Sequence, residues 1–549
     1  MILKFKNSLD SSRILFLITS ILLLPASLSS QPFKADTIRL KENLLFLSGD
    51  PLKGRAPGTK EDSLAASFIS DKLKSAGFAP LIGNSLMVPF DFIIRREIEQ
   101  GSSIAISGKN LLEDKDYFIS PISPSASISG EIEVIDKNSN SLVNKRGKIA
   151  LIKSDPDSVQ FFTTPISQQG YEGLLFYNDN EINPLKNVRS SGVSIPVVGI
   201  SKELASFILS EKSLICNIEC RIEIVKGRSF NVLAVKPGPN KSRYILAGAH
   251  YDHLGFGGKG SGSMYKNEGE IHNGADDNGS GVVSVIEMGR VISERIDSNP
   301  NSNHSYGIAI AAFGAEEMGL IGSRIVVDTL TSLNLLPALM INLDMVGRMN
   351  NRRVQAGGAG TFLGADSILL NVNKDYSLNL TVTKDGYGPS DHASFYTKGV
   401  PVLYFTTGVH KEYHTPSDDF DLINFAGLKM VTDFVSDIVY NISDMGFVPV
   451  YQKSEAPVSS ARRSFKVTLG VIPDFTYEKG DGFRVGSVTD GRPAQIAGMK
   501  EGDVIINMNT KKINNIYDYM SALGDLKQGS QVQVIIRRGL SEITLQIHL

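Results

Sequence analysis

Residues 244–253 read YILAGAHYDH, and this stretch decides the fold. Tyr244 to Gly248 is apolar without alternation, as a strand buried on both faces must be, and it runs straight into His250. The same pattern recurs further along the chain. Ser305 to Phe313 predicts a strand leading to Glu316 and Glu317 in GAEEMG (314–319). Ala338 to Leu343 predicts one ending at Asp344 in NLDMVG (342–347), and Val400 to Phe405 one before YHTPSD (413–418), which carries His414. Helices are expected over 281–296, directly after GADDNGSG (274–281), and over 425–442. Apolar strands alternating with helices predict an α/β fold with a doubly wound, mostly parallel sheet. Sites in such sheets form beyond the carboxyl ends of the strands, which is where these polar motifs fall.

Two imidazoles and several carboxylates are the donor mix that Zn²⁺ prefers. Asp276-Asp277-Asn278 precedes a helix, so its acids and amide also suit an N-cap. Both roles can coexist, with Asp277 on metal and Asn278 or Ser280 on the helix. A carboxylate has two oxygens and can bridge two ions, the arrangement by which two-metal hydrolases polarise nucleophile and substrate. Asp344 offers a third carboxylate. Adjacent glutamates at a strand end point in different directions, so one of Glu316 and Glu317 can bind metal while the other serves as a base. Asp252, two residues after His250, is placed to orient its ring. His253, His272, His304, His392 and His410 read as loop or supporting residues, and His548 as surface. The constellation points to a metal-dependent hydrolase.

Taken together, the Gly54–Gly58 loop (GRAPG), GAHYD, GADDNGSG, GAEEMG, NLDMVG and YHTPSD resemble the co-catalytic di-zinc aminopeptidase family, which includes bacterial leucyl aminopeptidases and, more distantly, glutamate carboxypeptidase II and glutaminyl cyclases. The resemblance implies a zinc-exopeptidase fold and two zinc ions per chain. His250, Asp277 and Asp344 would hold one ion, and Asp277, Glu317 and His414 the other. Glu316 would be the general base, and Asp252 would orient His250. Tyr413 would assist the tetrahedral intermediate. Glu316 and Asp344, with Asp391 of GPSDHASF (388–395), would receive the substrate. The implied activity is removal of N-terminal residues from peptides. A glutaminyl cyclase-like acyltransferase, a carboxypeptidase of the same superfamily and a non-catalytic peptide-binding protein are the alternatives.

The chain has 549 residues, room for several domains. The segments 30–111 and 226–446 would make up the peptidase domain. Between them, 112–225 carries short strands separated by Ser, Asn and Asp turns. This mostly β insert resembles a protease-associated domain through GKIALI (147–152) and GYEGLL (170–175). Residues 447–463 read as a linker. Residues 464–549 resemble a PDZ domain through GRPA (491–494) and GMKEGDVI (498–505), with a groove helix at 517–526. Such a groove takes peptides by strand addition, although VTLG (467–470) departs from the usual carboxylate-binding loop. Cys216 and Cys220 alternate with Ile218 on one strand face. Residues four apart on a strand stand about 13 Å apart, too far for a disulfide, so two buried free thiols are expected.

A formal net charge of −2 with no basic tail does not suggest nucleic-acid binding. Lys4, Lys6 and Arg13 precede an apolar stretch over 14–24 that is short for a membrane span, with small residues after it. This predicts a signal peptide over 1–29, export to the periplasm or beyond, and no stable membrane span in the mature chain.

Overall fold

The computed structural model describes residues 33–549 except 136–143, 155, 180–192, 241–242, 259–260, 266, 268, 299–303, 455–466, 474–480, 489–490, 515, 528 and 540. The expected signal peptide lies outside the described residues. Among those described, no helix is long and apolar enough to cross a membrane.

Four parallel strands form the centre of the largest sheet, in the order Gly307–Phe313, Tyr244–His250, Leu339–Leu343 and Val402–Thr406. The first three are buried at every position, which accounts for their unbroken apolar sequence. The sheet is mixed: outside this centre, Arg353–Gly357 and Asn379–Val382 pair in parallel, and the other pairings are antiparallel. Ile222–Lys236 lies antiparallel to Gly307–Phe313 on one side, and Arg353–Gly357 antiparallel to Val402–Thr406 on the other. His250 pairs with Phe313 and Leu343 with Phe405, so the four strands end along one edge. The segments that follow them therefore gather in one place. Helices Thr37–Leu47, Lys60–Ser75, Gly281–Ser298, Ala365–Tyr376 and Phe425–Asp444 supply side chains to the core on one face, and Ile321–Ser332 and His392–Tyr396 to the core on the other. The fold is thus covered on both faces, as the alternating pattern required.

The Gly54–Gly58 loop follows a short 3₁₀ turn, Asp50–Arg55, in which Lys53, Gly54 and Arg55 all have positive φ. A side chain at Gly54 would meet His272 O at 2.3 Å and Gly255 O at 2.9 Å, so only glycine fits there.

The insert is built on its own eight-stranded sheet, ordered 109–110, 103–106, 215–220, 126–134, 148–153, 173–177, 197–200 and 117–119, with helices Pro156–Gln168 and Lys202–Ser210. It starts earlier than the composition change at 112 indicated, because Ser103–Ile106 already belongs to this sheet. The long antiparallel pair Met87–Ile98 and Ile222–Lys236 carries the chain into and out of it. Cys216 and Cys220 are free and face the same apolar core. Burial pushes both thiols up, Cys216 to about 12 and Cys220 to about 11.

The C-terminal unit has a separate core and a sheet ordered 471–473, 483–488, 504–508, 531–538 and 541–548, with helix Ile516–Gly524 where the groove helix was expected. The expected linker is partly structured. Gln452 N donates to Thr361 O at 2.7 Å, Ser454 N to Tyr396 Oη at 2.8 Å, and Tyr451 bridges to Phe362. Residues 451–454 thus lie against the peptidase domain. The linker's Ser and Pro content resembled a tether because the partners holding it lie about 50 or more residues upstream. Arg484, Gly486, Glu501 and Gly502 of the C-terminal unit line a cavity of about 540 Å³ together with Arg348, Arg353 and residues 407–412.

Candidate active site

Each strand end contributes one segment to the site. Tyr244–His250 ends in His250, which is 1% exposed. Glu316 and Glu317 follow Gly307–Phe313, Asp344 follows Leu339–Leu343, and the loop after Val402–Thr406 brings in His414. Asp277 sits in the turn Ala275–Ser280 that leads into helix Gly281–Ser298. Three non-glycine residues beside or within the cluster, Ala315, Met345 and His414, have φ of 56°, 56° and 55°. Left-handed backbone of this kind costs energy and accumulates at functional sites.

The two oxygens of Asp277 face different histidines. Oδ1 is 3.4 Å from His250 Nε2, and Oδ2 is 3.1 Å from His414 Nε2. Asp344 Oδ1 lies 3.6 Å from His250 Nε2, and Glu317 Oε2 lies 3.3 Å from His414 Nε2. These separations fit metal binding. Two donors each about 2.1 Å from a tetrahedral zinc ion stand about 3.4 Å apart. His250, Asp277 and Asp344 can hold one cation, as can His253, Asp277 and Glu317, whose ligand atoms also converge. Glu316 stands beside the first group, with Oε2 3.9 Å from His250 Nε2.

The surrounding residues fix this arrangement. Asp252 was expected to orient His250 through its carboxylate, but that carboxylate is 3.9 Å from His250 Nδ1, while the Asp252 carbonyl is 3.2 Å away. The carboxylate instead accepts the backbone N–H groups of Glu316 (2.9 Å) and Glu317 (3.2 Å). Asp276, adjacent to Asp277, accepts Gly347 N at 2.6 Å and ties the Asp344 loop to the Asp277 turn. Asn278 caps the helix by accepting Gly281 N and donates to Leu343 O. Asp418 accepts the N–H groups of Asp276 and Asp277. His410 Nε2 stands 3.3 Å from Asp276, and its Nδ1 3.2 Å from Glu412, which pairs with Arg348 at 2.7 Å. Asp418 lies within the YHTPSD motif, yet nothing in its spacing marked it as a main-chain acceptor.

The charges of the site act strongly on one another. Burial pushes Glu316 well above the usual carboxylate range against the pull of His250, and Asp391, Glu317 and Asp344 push the same way. For Asp277, burial is outweighed by His250 and His414, which hold it well below that range. Burial would depress His250 and His414, but the carboxylates, led by Glu316 and Glu317 respectively, hold both well above the ordinary imidazole value. A divalent cation here would be the largest local charge and would reverse this tendency of the imidazoles to hold protons. Asp391 is fully buried near His250 and Asp344, close to the Ser323 hydroxyl but without a well-formed hydrogen bond, and burial pushes it to about 7. The Tyr413 ring stacks on His414 with centroids 3.8 Å apart, and burial, with Asp277 and Glu317, pushes its hydroxyl up.

Residues 231–439 match the model of peptidase family M28, and residues 444–549 match that of the PDZ domain. The chain thus carries a region similar to peptidase family M28, followed by a C-terminal PDZ domain. Aminopeptidase YwaD of Bacillus subtilis (strain 168) is 28% identical over 311 residues, covering 54% of this chain and 62% of that protein. A probable leucine aminopeptidase of Arthroderma otae is 29% identical over 229 residues, 38% of this chain and 57% of its own length. The chain thus spans less than two thirds of these curated relatives. Among solved structures, an aminopeptidase from Aneurinibacillus sp. strain AM-1 is 24% identical, covering 78% of this chain and 98% of that one with a TM-score of 0.46.

Proposed function

We propose that this chain is an exported, two-zinc aminopeptidase that releases single residues from the amino ends of peptides. The observation that carries the reading is Asp277, whose two oxygens face His250 and Asp344 on one side and His414 and Glu317 on the other. The relatives named above as aminopeptidases point the same way. His250, Asp277 and Asp344 would hold one zinc ion, and Asp277, Glu317 and His414 the second. Bound there, zinc would polarise the scissile carbonyl and acidify the attacking water.

The remaining work falls to side chains. Glu316 is the carboxylate left over from the ligand set, so it takes the proton of the attacking water and delivers it to the leaving amine. Its raised affinity for a proton, caused by burial and by Asp391, Glu317 and Asp344, suits an acid–base group. Asp252 holds the backbone at Glu316 and Glu317, which fixes where the base points. Tyr413, through its side chain or backbone, would assist the tetrahedral intermediate. Glu316, Asp344 and Asp391 form an acidic wall that receives the substrate's α-ammonium through charge-assisted hydrogen bonds. A carboxypeptidase would need a free cation aimed at the site, and Arg348 is instead engaged by Glu412. The insert would govern access to the site, and the PDZ domain would take peptides into its groove.

N-terminal acetylation of a test peptide should abolish cleavage, and C-terminal amidation should leave it intact. Mass spectrometry of the products decides this. Efficient cleavage of the acetylated peptide with failure on the amidated one would reverse the direction of attack.

A further inference from the structure

The proposed chemistry leaves one histidine of the HYDH segment without a task. His253 is fully buried, and its Nδ1 lies 2.8 Å from Glu317 Oε1. The other oxygen of Glu317, Oε2, faces His414 Nε2 at 3.3 Å. The two distances differ in kind. Donors sharing one tetrahedral ion stand about 3.4 Å apart, whereas 2.8 Å is a hydrogen-bond length. One carboxylate oxygen is therefore in a hydrogen bond and the other at ligand spacing.

The ring of His253 is held from several sides. Gly274, with φ of 55°, lies against it, and a Cβ there would approach His253 Cδ2 to 2.5 Å and Asp277 O to 2.2 Å. The His414 ring meets it edge-on, with centroids 5.7 Å apart at 71°. His253 N donates to Arg55 O at 3.4 Å. Glu317 is thus gripped twice by neighbouring residues, at its backbone N–H by Asp252 and at its side chain by His253. The terminal torsion of a glutamate is broad, so without such a contact neither oxygen has a fixed direction.

We propose that His253 is a positioning residue of the second cation site: its Nδ1–H donates to Oε1 of Glu317 and so presents Oε2 toward His414 and Asp277. The inference rests on the reading that Asp277, Glu317 and His414 hold zinc. Partners of this kind fix a ligand's orientation, and their loss costs metal affinity without changing the ligand count.

The test uses the full chain and two substitutions of opposite kind. His253→Phe fills the space without a donor, and His253→Gln keeps an N–H able to reach Glu317. Zinc affinity is read by competition with a chromophoric chelator, and imidazoles per zinc by X-ray absorption, with His414→Ala as the comparison. His253→Phe should weaken one of two zinc ions by about 10–100-fold, leave the other unchanged and keep the imidazole count. His253→Gln should lose less, and His414→Ala should lower both affinity and imidazole count. Binding of both ions by His253→Phe within about threefold of wild type would overturn the proposal, given effects of about 10–100-fold for such partners. A fall in imidazole count matching that of His414→Ala would also overturn it, because His253 would then be a ligand. A wild-type chain that binds no zinc would overturn the underlying metal reading, and this proposal with it.

Discussion

Replacing Arg55 should destabilise the peptidase domain severely, and lysine should not rescue it. Arg55 is 1% exposed, and its guanidinium donates only to main-chain carbonyls. Nε reaches Tyr251 O at 2.7 Å, Nη1 reaches Leu47 O and Asn273 O, and Nη2 reaches Gly274 O at 3.0 Å. Burial pulls the guanidinium down to about 10 from 12.5, against the attraction of Asp252, Asp418, Asp277 and Glu317. That depression corresponds to roughly 3 kcal/mol of uncompensated desolvation, which Arg55→Met would recover. Gly274 O keeps the Gly279 N–H, so three buried carbonyls are left without a donor at about 2 kcal/mol each, roughly 6 in total, and the net loss is on the order of 3 kcal/mol. Lysine keeps the charge and therefore recovers nothing, while its single nitrogen cannot span four carbonyls that a planar fork reaches. Arg55→Lys should thus be no more stable than Arg55→Met. Urea unfolding, followed by a signal from the peptidase domain, measures both. Lysine within about 1 kcal/mol of wild type, less than the cost of one stripped carbonyl, would refute the reasoning and make charge the deciding property. Because Tyr251 follows His250 and Gly274 lies near Asp277, both variants should also bind metal more weakly.

Glu316→Gln should retain about two zinc ions per chain by elemental analysis, yet lose roughly 10²–10⁴-fold in kcat, because an amide cannot accept the water's proton; near-normal turnover would remove Glu316 from the role of base. A chain ending at Ser454 should hydrolyse an amino-acid anilide as the full chain does, since among the described residues no cluster residue lies beyond Asp418 and residues 451–454 dock on the peptidase domain. Loss of that activity in a folded truncation would make the PDZ domain part of the site. Asp62 is pushed up to about 6 from 3.8 by burial, against hydrogen bonds that include Gly58 N and Ser229 Oγ. Its neutral form suits the fold, so its contribution is fully present below about pH 4 and is lost as pH rises through about 6, a change of roughly 3 kcal/mol. Asp62→Asn should therefore lose less stability than wild type between pH 4 and 7 in parallel urea titrations, and equal losses would place the pH dependence elsewhere.

Reading the sequence located the centre of the fold because an apolar strand followed by a polar strand-end motif is a local signal, complete within about ten residues. Strands 244–250, 307–313 and 339–343 needed no distant information, since burial on both faces leaves no alternation to interpret. The edges of the sheet were less legible. Ile222–Lys236 runs antiparallel to both Gly307–Phe313 and Met87–Ile98, which no periodicity within it reveals. The insert boundary and the docked part of the linker escaped for the same reason, since their partners come from distant segments.

The sequence by itself showed which donors this chain can offer a metal, and in what order, because most of them follow an apolar strand in the chain and Asp277 directly precedes a helix. Only the tertiary structure decided what each side chain does. Asp252 lies two residues from His250, yet its carboxylate serves the backbone of Glu316 and Glu317, 64 and 65 positions away. His253 reaches Glu317 across 64 positions. Past the last residue of a strand, a side chain's direction depends on which neighbouring strand ends beside it. Here the register that sets His250 against Phe313 brings the HYDH and GAEEMG segments together.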